Sequence, residues 1–166
     1  MGELQEDNDL FFTCSLIEYI ARKTKNTKKE IVNKLGYEKI KKIFDLAEVY
    51  HSENIDKVAD EFINNCKIEQ GKYDIVTQIE NRIPTYWEIG RVYQRLIKMV
   101  NSNIDEYINT TIEVLSSWII EKIDNYDSSM YYENPDYIYN CYNVSIGEIC
   151  QFEFYNCHIF STLDNN

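Results

Sequence analysis

Apolar side chains recur every three or four residues through most of this chain, a spacing that predicts helices. The first helix is expected from about Asn8 to Arg22, where Leu10, Phe11, Cys14, Ile17 and Ile20 share a face and Asp7 or Asn8 can cap it. Thr27 and Glu30 form a capping box: the threonine oxygen accepts from an orphan amide while the glutamate reaches back. Gly36 is a natural stop for the helix that this box opens. A third helix, Tyr37 to His51, turns Ile40, Ile43, Phe44, Ala47 and Tyr50 inward, with His51 placed to cap its last carbonyls. A fourth, Asn54 to Cys66, does the same with Ile55, Val58, Ala59, Phe62 and Ile63.

Residues 69–72 then read as a hinge, followed by a weak helix through Ile75, Val76 and Ile79 that ends near Pro84. Thr85 and Glu88 form a second capping box and open a helix to Val100. Ile89, Val92, Tyr93 and Leu96 fill one arc of it, and Arg91, Arg95 and Lys98 fill another. Asn103 and Glu106 open the longest predicted helix, to about Asn125, roughly 30 Å at 1.5 Å per residue. Pro135 suits the first turn of a short helix to Tyr142. Beyond it Ser145 and Glu148 suit another cap, yet QFEFYNCHIF (151–160) alternates as a strand does. The expected architecture is all-α: an irregular multi-helix bundle with a short strand or irregular tail at its C-terminal end. An N-terminal helical unit spans 1–68 and a C-terminal extension spans 69–166, the two packed as one body.

With 166 residues, 44% of them hydrophobic and 27% charged, the chain can bury a core without disulfides or a metal. No run of 18 apolar residues offers a membrane span. The opening MGELQEDNDLFF is acidic where a secretion signal needs basic residues, so a cytoplasmic protein is expected. Five widely spaced cysteines agree with free thiols in a reducing compartment. Abundant Asn, Ile, Lys and Tyr suggest an AT-rich bacterial source.

Charge divides the chain. The net charge is −11, yet Arg22 to Lys42 holds nine basic residues against two acidic ones. From Met99 onward Lys122 stands alone against eleven acidic residues. The global balance opposes nucleic-acid binding, because phosphate affinity comes largely from Lys and Arg releasing counterions. Two patches of opposite sign suit intramolecular docking or a charged protein partner.

Candidate chemistry is sparse. The basic segment has helix-turn-helix spacing, with Lys28, Lys29, Lys39, Lys41 and Lys42 as the phosphate-binding set. Its second helix carries no Arg, Asn or Gln for bidentate base contacts, and Lys41 stands four residues before Asp45, where a surface pair is expected. Arg91, Arg95 and Lys98 form a stripe suited to an anion or a carboxylate-rich partner. Cys141, Cys150, Cys157 and His158 lack the tight repeated spacing of a metal site, so no metal is expected. Catalysis by Cys157 with His158 would need a thiol oriented by an imidazole, and neither histidine lies in a nucleophile signature. No phosphate loop or cofactor motif is present. Half of the fourteen tyrosines fall between Tyr126 and Tyr155. Tyr131, Tyr132 and Tyr137, interleaved with Glu133 and Asp136, are the leading candidates for a protein-binding surface, since tyrosine gives rigid contact area with a polar tip.

The landmarks Phe11-Phe12-x-Cys14, Ile17-Glu18-Tyr19, Lys29-Glu30-Ile31-Val32, Val49-Tyr50-His51 and Val58-Ala59-Asp60-Glu61-Phe62-Ile63 resemble a family of small bacterial helical domains of unknown function. Members of that family often lie beside genes for ADP-ribosyltransferase-type toxins. The resemblance covers residues 11–63, about a third of the chain. It implies an antitoxin-like protein, or an accessory regulator, that binds a toxin encoded nearby and is not itself an enzyme. Two features depart from the family pattern: the greater length, and the strength of the basic 22–42 segment.

Overall fold

A computed structural model describes residues 4–144, and all structural statements below concern these residues. They form eight α-helices and two short 3-10 turns, with no strand among the described residues. The all-α expectation is therefore met, and the 151–160 segment lies outside the described residues. No described helix is long and apolar enough to cross a membrane.

The longest helix is the first, α1 (Gln5–Thr24), and it is the axis of the fold. Seven consecutive residues, Phe12 to Glu18, are buried, so other elements surround it rather than cover one face. Its small polar residues tolerate this because they bond to the helix itself. Thr13 and Ser15 donate to the carbonyls of Asp9 and Phe11, at 2.7 and 2.8 Å, and Thr24 donates to that of Ile20 at 2.8 Å. The predicted caps Asp7 and Asn8 lie inside α1, which begins after Leu4 without a side-chain cap.

Both capping boxes form. Thr27 opens α2 (Lys28–Asp45) and Thr85 opens α5 (Tyr86–Val100), each with its glutamate bonded back. Gly36 interrupts α2 at φ +64°, ψ 174°, a conformation that suits glycine. The expected third helix is divided at Leu46, so that only Ala47–His51 forms α3. His51 does not cap it. Ser52 Oγ donates to the Val49 carbonyl at 2.7 Å, while the His51 ring packs between Phe12 and Trp87. Helix α4 (Ile55–Asn65) is capped by Asn54.

The predicted helix through Ile75 and Ile79 is absent. Residues 66–85 form an irregular strap, because Asp74 accepts from the amides of Val76 and Thr77 and closes a turn in place of a helical one. The predicted long helix to Asn125 is also broken. It becomes a 3-10 turn (Ile104–Glu106), α6 (Tyr107–Leu115) and α7 (Ile119–Asp124). Ser116 and Ser117 mark the break, where the Ser117 hydroxyl donates to the Val114 carbonyl at 2.6 Å and competes with the helical ladder. After a second 3-10 turn (Met130–Tyr132), α8 (Pro135–Asn143) starts at Pro135 with Asn134 as cap.

One apolar cluster joins residues from α1 to α8. Within it α1 and α5 pack tightly where Gly90 faces Ser15. A Cβ at position 90 would lie 2.1 Å from Ser15 Oγ and 2.9 Å from its Cα.

Candidate functional site

Two places combine chemically capable side chains, one in the interior and one on the surface. The interior one centres on Lys28, the first residue of α2. Its ammonium is 2.6 Å from Glu18 Oε2 and 2.7 Å from Asp124 Oδ2, and all three side chains are buried. Arg22 Nε bonds Glu18 Oε1 at 2.5 Å, while its Nη1 reaches the Pro84 carbonyl at 2.7 Å and its Nη2 the Tyr126 hydroxyl at 3.1 Å. Tyr93 donates to Asp124 Oδ1 at 2.5 Å. Burial pushes the Glu18 carboxyl up, but Lys28 and Arg22 outweigh it and hold Glu18 below the usual carboxylate range. Asp124 is raised by burial, which Lys28 offsets only in part. The Tyr93 phenol is pushed far up by burial and the nearby carboxylates. Two cations and two carboxylates thus neutralise one another, and the cluster ties α1, α2, α5 and α7 together.

Lys28 is therefore no phosphate ligand, and the nucleic-acid set loses its first member to the core. The other members are scattered. Lys29 is exposed on the first turn of α2, Lys39 is half-buried, and Lys41 forms the expected surface pair with Asp45 at 2.5 Å. Lys42 reaches Glu61 at 3.3 Å and lies over the Phe62 ring. A one-residue break at Gly36 stands where a helix-turn-helix needs a turn of several residues.

The surface place lies along α5. A groove of about 320 Å3 has Arg91, Arg95 and Leu96 on one wall and Tyr131, Glu133 and Pro135 on the other. A second hollow of about 260 Å3 continues it past Arg95 to Lys98. The structure thus brings the cationic stripe and part of the tyrosine segment, which are far apart in sequence, onto one surface. Arg91 stacks on the Phe11 ring, 4.0 Å from its centroid, and donates to Gln94. Lys98 is held by Asp7 at 2.5 Å, while Arg95 is exposed. Tyr132 and Tyr137 are 60% and 46% exposed, and Asp136 is exposed beside them. Tyr131 differs: it is half-buried, its ring edge-on to the buried Tyr126 at 5.6 Å.

Compared with known proteins, the chain matches no family model, no curated protein and no solved structure. Among the described residues no group of His, Cys, Asp and Glu is arranged to hold a metal. Cys150, Cys157 and His158 lie outside the described residues. Cys14 is buried, and burial raises its thiol far above the ordinary value. The Glu18–Lys28–Asp124 cluster escaped the sequence reading, because Glu18 sits among apolar neighbours on a helix read as one-sided. The signal available was the apolar character of both faces of α1, which calls for burial all round.

Proposed function

We propose that this chain is a non-enzymatic interaction module of antitoxin or accessory-regulator type, acting in a bacterial cytosol. It binds one protein partner across the α5 groove. The observation that supports this most directly is the groove in which Arg91 and Arg95 meet Tyr131 and Glu133, with the exposed Tyr132 next to Tyr131 in the chain and the exposed Tyr137 on α8. Protein interfaces are enriched in tyrosine and arginine at their energetic centres, and a groove offers such anchors a place to be desolvated. The surface mixes cations (Arg91, Arg95) with carboxylates (Glu133, Asp136), so it suits a partner with a charged rim of both signs rather than a polyanion. This favours a protein over DNA, as does the removal of Lys28 from the surface.

The test is capture of partners on the tagged chain from the source lysate, with mass spectrometry and gel filtration of the eluate. One stoichiometric protein is expected. The double change Tyr132→Ala with Tyr137→Ala, combined with Arg95→Glu, should weaken that complex at least 100-fold while leaving helicity unchanged. Unaltered affinity would remove the groove from the interface. A chain that captures no protein, yet shifts DNA with a steep salt dependence, would replace this reading with the DNA-binding one.

A further inference from the structure

The strap of residues 66–85 is long for a segment without regular structure, and such segments in compact proteins commonly serve as binding loops or lids. It is firmly attached. Gly71 N donates to the Thr24 carbonyl at 2.7 Å, Tyr73 N to the Lys25 carbonyl at 2.8 Å, and Asn26 Nδ2 to the Glu69 carbonyl at 2.8 Å. Asp74 pairs with Lys25 at 2.7 Å. At the far end Asp127 accepts from Glu80 N and Asn81 N, and Arg22 donates to the Pro84 carbonyl.

Between strap and bundle lies a hollow of about 500 Å3, within the range of small-molecule sites. Tyr73, Ile75 and Val76 of the strap wall one side, with Tyr19 and Tyr86 across from them. The Tyr19 and Tyr86 rings meet edge-to-face at 5.0 Å, and Tyr19 donates to Asp56. The hydroxyls of Tyr73 and Tyr86 make no hydrogen bond with any described residue, although Tyr73 is half-buried. Neither hydroxyl is enclosed by the protein, so each is open to donate to a ligand or to water.

Charge decides the kind of ligand. Four cations line the hollow, Arg22, Lys23, Lys25 and Lys28, and every one already has a carboxylate: Glu18, Asp56, Asp60, Asp74 and Asp124 serve them. No lining cation is left without a carboxylate, so the hollow offers a phosphate no unpaired positive charge. The rings and the two open hydroxyls suit a flat molecule bearing hydrogen-bond acceptors.

We propose that this hollow binds an uncharged planar heteroaromatic molecule of nucleoside size, its ring against the tyrosines and its acceptors on the Tyr73 and Tyr86 hydroxyls. The site shares no residue with the α5 groove, so it stands independently of the partner-binding reading.

Calorimetric titration of the full chain with adenosine, guanosine, cytidine and uridine, and with their 5′-monophosphates, tests this. At least one nucleoside should bind saturably at one site, about 10-fold or more tighter than its monophosphate. Tyr73→Phe should weaken it about 5–10-fold, the loss of one hydrogen bond, and Ile75→Trp should abolish it by filling the hollow. Circular dichroism melts show whether both variants stay folded. Absence of binding by all four nucleosides at roughly millimolar concentration would overturn the proposal. So would a monophosphate binding as tightly as its nucleoside, or full affinity in Ile75→Trp.

Discussion

The ammonium of Lys28 lies 2.7 Å from the carboxylate of Asp124, 96 residues further along the chain. Neither side chain reaches solvent, and Glu18 completes the arrangement from the central helix. Lys28→Met removes the shared cation and leaves two buried carboxylates against each other. The expected loss is about 3–5 kcal/mol of folding stability at pH 7, read by denaturant titration. Lys41→Met, which breaks an exposed pair with Asp45, should leave the unfolding midpoint where it was. Equal effects from the two changes would contradict this placement of Lys28.

Acid should release the strap. Asp74 is held at about 2, below its ordinary 3.8, by Lys25 and by the Thr77 amide. Asp127 is lowered in the same way by the amides of Glu80 and Asn81. A carboxyl lowered by folding contributes stability that is complete above its ordinary value and fades as pH falls towards its folded value. The Asp74 contribution therefore fades between pH 3.8 and about 2. Amide resonances of Gly71, Tyr73 and Asn81, followed by NMR, should move through that window, and Asp74→Asn should remove the Asp74-dependent part. Strap resonances that stay fixed down to pH 2 would contradict the anchor.

Gly71 has no room for a side chain. A Cβ there would stand 2.2 Å from Asn26 Oδ1 and 2.3 Å from the Lys25 carbonyl, which is backbone and cannot step aside. Gly71→Ala should detach the strap locally and cost about 1–3 kcal/mol. Hydrogen exchange should report lost protection at Gly71 and Tyr73, with protection in α1 retained. Unchanged exchange at both amides would show that the strap is not held there.

Gly90 makes a parallel case inside the bundle. Alanine at position 90 meets both the hydroxyl and the backbone of Ser15, so α1 and α5 must separate. The thermal midpoint should fall by several degrees or more, and Ser15→Gly in the same chain should recover part of the loss. A Gly90→Ala chain as stable as the parent would mean that the two helices do not pack this closely.

The helices that could be read in advance are those whose ends are made by local chemistry. Thr27 with Glu30 and Thr85 with Glu88 each satisfy orphan amides within a few residues and form as expected, and Pro135 opens α8 as its fixed φ suggested. The elements misread are those where a local competitor defeats the apolar period. Asp74 closes a turn where Ile75, Val76 and Ile79 suggested a helix, and Ser116 and Ser117 divide the span from Asn103 to Asn125. Of the surface candidates, Tyr132, Tyr137 and Arg95 are exposed, Tyr131 is half-buried against Tyr126, and Lys98 is held by Asp7.

By itself, the sequence determined the all-α class, through a period close to 3.6, the capped starts of α2 and α5, and the start of α8 at Pro135. Only the tertiary structure decided that α1 is enclosed on all sides and that Lys28 is a core residue rather than a surface one. It also decided that Arg95 and Tyr131 line one groove, and that the strap closes over a hollow. The reason is one of range. Caps and turns are settled by atoms a few residues apart, whereas burial and charge pairing depend on what other helices bring, and the spacing of one segment carries no record of its distant neighbours.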